Sequence, residues 1–228
     1  MAQELLEQDQ KILENTRSLC QQLEITNYKP IAVAWQSMIL GGGRRSGYEM
    51  PFDEVQLMQS QIIMPAGMRG RLEPDEWKPI IASALIASKK LRGQMAERII
   101  VGAAVFVAIA VILFLTLPGL FPQPVQTCKG GSCGTGPLGY MLALFISFPL
   151  VAIGTGVLGV FFIKKLKLTA DLRAAELLGT AYILSILNKI ASMIPPELAQ
   201  AKPRGAIFPS LQQRIKNLQT QQQHGPAT

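Results

Sequence analysis

Residues 99–121 read IIVGAAVFVAIAVILFLTLPGLF, and residues 138–163 read LGYMLALFISFPLVAIGTGVLGVFFI. Neither stretch holds a charged side chain. A bilayer core takes roughly 20 apolar residues in helix, so each run is long enough to span with some tilt. A buried core helix rarely needs one such uninterrupted stretch, and here there are two. The first begins too far from Met1, and is too long, to be a signal peptide. Pro149 stands inside the second run and is expected to kink it, the lost backbone bond being absorbed locally. The two runs predict a transmembrane hairpin.

Charge placement orients that hairpin. The chain carries 22 Lys and Arg against 15 Asp and Glu, a net charge of +7. Lys89, Lys90, Arg92 and Arg98 precede the first run, and Lys164, Lys165, Lys167 and Arg173 follow the second. Cations massed at one side of a membrane are what the positive-inside bias produces, and this placement argues against nucleic acid as the partner. The connecting residues 122–137 hold one charge, Lys129. That loop is expected to be extracytoplasmic and both termini cytoplasmic. Cys128 and Cys133 fall in the loop, separated by Lys-Gly-Gly-Ser, in a compartment that permits a disulfide between them. Two cysteines do not make a zinc site. Cys20, on the reducing side, reads as a small buried apolar residue.

The flanking segments read as a folded cytoplasmic domain interrupted by the hairpin. Leu5, Ile12, Leu19 and Leu23 recur at helical spacing among polar residues, which predicts an amphipathic helix from Gln3 to about Leu23. Residues 31–35 (IAVAW) predict a short buried strand, and Val55 to Met64 a second strand or edge segment ending at Pro65. The turn-rich GGGRRSG of residues 41–47 lacks the Lys-Ser/Thr ending and following helix of a phosphate-cradling loop. Pro74 is expected to open a helix with Asp75 and Glu76 in its first turn. Trp77, Ile80, Ile81, Ala84, Leu85 and Ser88 form its inward stripe, and it runs on to Arg98. A further amphipathic helix is expected over Thr169–Ser192, ended by Pro195-Pro196. Ser210 and Gln213 match a capping box opening a last helix through about Leu218, with a disordered Gln-rich tail after it.

Three of these segments carry a resemblance. Residues 71–82 (RLEPDEWKPIIA), residues 170–179 (ADLRAAELLG) and residues 208–215 (FPSLQQRI) flank the hairpin in that order. Together with Leu19 to Trp35, this layout resembles the HtpX-like membrane metallopeptidases, relatives of the prenyl-protein-processing zinc proteases. Residues 71–82 resemble the lead-in to that family's active-site helix. Residues 170–179 resemble the helix bearing its third zinc ligand. Residues 208–215 resemble its closing motif, normally His-Pro followed by a helix with an Arg-Ile pair. The resemblance implies an α+β, mainly helical, zincin-like cytoplasmic domain. Its bounds would be 1–98 and 164–218, with spans at 99–121 and 138–163, the loop at 122–137 and the tail at 219–228.

The family's chemistry is missing from those positions. Its His-Glu-x-x-His pentad holds zinc with two His one helical turn apart, and the Glu activates the bound water. The register implied here puts Ser83, Ala84 and Ala87 at the first His, the Glu and the second His. The third ligand falls on Lys167, and Phe208 stands where the closing motif has His. The chain's single His is His224, in the tail. Asp171 matches the Asp that orients a ligand in the family. Here it is expected to cap its helix or pair with Lys165, Lys167 or Arg173. Several family members have spans ahead of the catalytic helix, and only the pair after it is expected here.

No metal and no cofactor is therefore expected. The resemblance implies a proteolytically inactive membrane protein that holds a peptide or protein partner in a cleft near Ser83 to Ala87. Small residues on the spans, Ala104 with Ala108 and Ala152 with Gly156, suit packing within the hairpin or in an oligomer. One alternative is a membrane anchor or assembly factor unrelated to peptidases. Another is a hydrolase with Ser83 as nucleophile and Lys167 as base, although nothing marks an oxyanion hole. Transport is disfavoured because neither span carries an ionisable residue.

Overall fold

The computed structural model describes residues 2–39, 48–120, 138–194 and 208–224. The expected turn at residues 41–47, the loop with Cys128 and Cys133, and Pro195-Pro196 lie outside them. The chain divides into two compact units, one made of residues 1–93 and 163–228 and the other of residues 94–162.

The first unit is mainly helical with a small sheet. Helix α1 spans Ala2–Gln22 and buries Ile12 and Leu19 of the expected stripe, with Leu23 buried in the turn just past its end. It ends on Glu24 in the left-handed region (φ 56°), with the Ile25 N–H donating to the Cys20 carbonyl (2.8 Å). That pairing satisfies carbonyls the helix end would leave open. Strand β1 (Ala32–Gln36) runs parallel to β5 (Gln61–Pro65), which pairs antiparallel with β4 (Gln56–Met58). The expected Val55–Met64 segment is thus a hairpin, turned at Gln59 with φ 44°. Central β5 is buried from Ile62 to Pro65, as a strand covered on both faces requires. A separate pair, β2 (Met38–Ile39) with β3 (Tyr48–Glu49), completes the strands among the described residues.

Regular helix begins later than Pro74. Residues 74–77 form turns, and α2 spans Lys78–Leu85. The acidic pair serves tertiary contacts instead of a first helical turn. Asn15 Nδ2 donates to the Pro74 carbonyl (3.1 Å) and to Asp75 Oδ1 (3.1 Å), and Tyr182 donates to the Asp75 carbonyl (2.9 Å). Lys189 pairs with Glu76. Every residue from Pro79 to Leu85 is buried, so α2 is a core helix enclosed on all sides. A π-helical segment, Ile86–Leu91, follows and leads directly into α3 (Arg92–Leu120).

Helix α4 spans Leu138–Leu178, so the expected break between the second span and the following helix does not occur. The lysines at 164, 165 and 167 are helix formers, and no Gly or Pro interrupts them. The break comes at Gly179, whose φ of 93° ends α4 before α5 (Thr180–Met193). A Cβ at Gly179 would meet nothing within 4 Å, so its cost is backbone strain alone. Gly179→Ala is expected to destabilise this unit by about 1–3 kcal/mol, measured by denaturant unfolding. Helix α5 buries Ile183, Leu184, Ile186, Leu187 and Ile190 and stops at Ile194, whose extended backbone suits a residue before proline.

Helix α6 (Leu211–His224) opens with the expected capping box: the Ser210 N–H donates to Gln213 Oε1 (3.1 Å), and the Gln213 N–H donates to Ser210 Oγ (3.2 Å). It runs past the expected end at Leu218 to His224, so residues 219–224 are helical, which the good helix propensity of Gln allows. It packs on α5 and buries Arg214 and Leu218.

In the second unit α3 and α4 run antiparallel in close contact. Gly102 faces Leu158, and a Cβ at Gly154 would sit 2.6 Å from the Phe106 ring. The residues that let the helices approach are these glycines, whereas Ala104, Ala108, Ala152 and Gly156 are exposed. Bulky apolar side chains also face outward, among them Ile100, Leu115, Phe145 and Phe148, the last two nearly 80% exposed (79% and 78%). Helix α4 passes through Pro149 without interruption. Among the described residues no helix is long and apolar enough to cross a membrane. The helix backbones themselves are unbroken over 29 and 41 residues.

Candidate functional site

The first unit encloses five charged side chains and one hydroxyl drawn from four places in the chain. Ser83 comes from α2, Lys167 and Asp171 from α4 one turn apart, Arg214 from α6, and Asp53 and Glu54 from the loop before β4. All six are buried. Arg214 Nε donates to Asp171 Oδ2 (2.8 Å) and its Nη2 to Asp171 Oδ1 (2.8 Å), a bidentate pair. Its Nη1 reaches Asp53 Oδ2 (2.7 Å) and the Asp53 carbonyl (2.9 Å). Ser83 Oγ donates to Asp171 Oδ1 (2.5 Å). Lys167 Nζ lies 3.3 Å from Glu54 Oε1.

Burial alone would push the Asp171 carboxyl up. The Arg214 guanidinium, the Lys167 charge and the Ser83 hydroxyl together outweigh burial and hold the carboxyl below the usual range. Burial would likewise pull Arg214 down, but Asp171 and Asp53 raise it, so it stays charged.

Of the residues singled out in the sequence, Ser83 and Asp171 are brought into contact, and Lys167 lies one turn away. Asp171 is expected from the sequence to cap its helix or to pair with Lys165, Lys167 or Arg173, but it lies inside α4 and caps nothing. The structure uses Arg214 instead, because α6 delivers a planar five-donor group that matches a carboxylate edge. Ala84 is buried and Ala87 half-buried, Phe208 takes no part, and Cys128 and Cys133 lie outside the described residues. Cys20 is buried as expected, and burial pushes its thiol up. Sequence reading missed Arg214, Asp53 and Glu54 as site residues, although Arg214 stood inside the quoted closing segment.

This arrangement does not fit zinc. Among the described residues no three His, Cys, Asp or Glu side chains are grouped to hold a metal ion. At the position the resemblance gives to a ligand carboxylate stands an ammonium, and the Ser83 hydroxyl is committed to Asp171. Nucleophilic catalysis is poorly served too. Asp171 is a weak base toward Ser83 because its proton affinity is depressed, and Lys167 bonds to Glu54 and not to Ser83. Comparison with known proteins found no matching family model, no matching curated protein and no matching solved structure.

Proposed function

We propose that the chain is a two-span membrane protein with a peptidase-like cytoplasmic domain that binds a polypeptide without cutting it. One observation carries the reading. Two segments of the resemblance, ending α4 and opening α6, supply Asp171 and Arg214 to a single buried network, and the third runs into α2 up to Ala82, next to the network's Ser83. Segments this far apart in sequence need not converge, and here they do so around positions that lack metal ligands.

Strand β4 supports the binding half of the proposal. It touches α2, and among the described residues it pairs only with β5. Its second edge can accept an extended chain, with backbone hydrogen bonds giving affinity and Met58, 57% exposed, beside them. The spanning half rests on the uncharged runs 99–121 and 138–163 within α3 and α4. At 1.5 Å per residue, the uncharged residues 99–120 of α3 reach about 33 Å, against the roughly 30 Å of a hydrocarbon core. Its outward-facing Ile100 and Leu115 suit lipid.

Elemental analysis of the detergent-purified chain, with fluorescent casein as an unfolded polypeptide, tests the proposal. The expected result is zinc well below one per chain, intact casein, and saturable casein binding by anisotropy. One tightly held zinc with chelator-sensitive cleavage would overturn it and send the search to ligands elsewhere. Neither binding nor cleavage would leave the membrane-anchor alternative.

A further inference from the structure

Two cavities meet where α1 turns into β1, away from the buried network. The larger, about 770 Å³, is lined in part by Arg17, Lys29 and Ile31. The smaller, about 220 Å³, is lined by Thr26, Asn27, Lys89 and Lys90. They share Glu24, Ile25 and Thr26, so four cations and one carboxylate border a single concave surface. Lys29 and Lys90 are exposed, and Lys89 lies over the Tyr28 ring, 4.8 Å from its centroid.

Both walls depart from regular backbone. Lys89 and Lys90 sit in the π-helical segment, a form concentrated at functional sites, and Glu24 holds a left-handed conformation at φ 56°. The surface is also amphiphilic. Thr26 and Asn27 supply neutral donors, while Ile31, 68% exposed, stands at the rim of the larger cavity. An excess of cations beside exposed aliphatic surface matches a ligand with an anionic head and an apolar tail.

We propose that this surface binds the phosphate headgroup of an anionic phospholipid, with Lys29 and Lys90 as the principal contacts. The proposal rests on the membrane reading above, which supplies the lipid. In it the phosphodiester lies between the two lysines, Asn27 and Thr26 donate to its oxygens, and the glycerol and upper acyl carbons run along Ile31.

The test is native mass spectrometry of the full chain in detergent, titrated with dioleoyl-phosphatidylglycerol, dioleoyl-phosphatidylcholine or inorganic phosphate. The wild-type chain is expected to retain one phosphatidylglycerol in preference to phosphatidylcholine, and inorganic phosphate is expected not to displace it. The Lys29→Gln/Lys90→Gln variant is expected to lose affinity about 25-fold, about fivefold per lysine. Lys11→Gln/Lys216→Gln removes the same charge from exposed sites off the cavity and is expected to leave affinity unchanged. Equal losses in both variants would show diffuse attraction and overturn the site, as would equal retention of the two lipids. Displacement by inorganic phosphate would make it a free-anion site. Alkaline carbonate extraction reads the spans separately. A chain released by carbonate overturns the membrane reading, whereas a retained chain with an unaffected double variant overturns the headgroup site alone.

Discussion

Arg214→Ala is expected to lower the stability of the first unit, residues 1–93 and 163–228, by about 3–5 kcal/mol, the range for removing one partner from a buried ion pair. The guanidinium side chain is 2% exposed and bonds Asp171, 1% exposed, and Asp53, 11% exposed. Its loss strands both carboxylates without water to replace the guanidinium's N–H donors. The chain's two tryptophans, Trp35 and Trp77, both lie in this unit, so their fluorescence during denaturant unfolding reports on it directly. A loss under about 1 kcal/mol would mean the pair behaves as a solvated surface bridge.

The pH dependence separates charge from lost packing. In the wild-type chain Asp171 has a folded pKa below its unfolded value of about 3.9. It therefore contributes stability that is present above the unfolded value and lost as pH falls through the folded one. Burial is the largest single influence on Asp171, so without Arg214 its folded pKa is expected to rise above the unfolded value. Ionised Asp171 then opposes folding, and the Arg214→Ala variant should regain stability relative to wild type as pH falls toward about 4. A constant gap across that range would assign the effect to packing.

What the sequence made legible follows from which signals are local. The 99–121 and 138–163 runs, the α1 stripe and the Ser210–Gln213 capping box are set by residues within a few turns of each other. Each appears as helix over its described residues, the first run as far as Leu120. The break between α4 and α5 was also local, yet it was misplaced. The apolar run ends at Ile163, but only Gly179 has the backbone freedom to stop a helix that lysines continue. At the site, Ser83, Lys167 and Asp171 were found through their places in a family's layout. Arg214, Asp53 and Glu54 join them only through tertiary packing, across as many as 161 positions of the chain. A buried Asp announces that it needs a cation and leaves open which of 22 will reach it.

Lys167 offers the sharper test of how the site differs from a metal centre. Its side chain is 6% exposed and pairs with Glu54, 10% exposed, within a set where two cations face three carboxylates. Lys167→Met leaves that ratio at one to three and is expected to cost about 3 kcal/mol. Adding Glu54→Leu removes the stranded charge, and the double variant should recover to within about 1 kcal/mol of wild type. Completed by the Glu54→Leu single variant, the cycle is expected to give a coupling of at least about 2 kcal/mol, which isolates the ion pair from changes in packing. Lys167→Glu goes further by restoring the carboxylate that the resemblance expects. It sets four carboxylates against Arg214 and should destabilise more than Lys167→Met. If the site kept a latent metal-binding geometry, zinc would rescue this variant by binding only its folded form. No zinc-dependent shift in its unfolding midpoint is expected, because Ser83 and Ala87 offer no imidazole to share the ion. A rise with zinc would mean that Glu54, Asp53 and the new carboxylate form a metal site, and that the lysine is what keeps metal out.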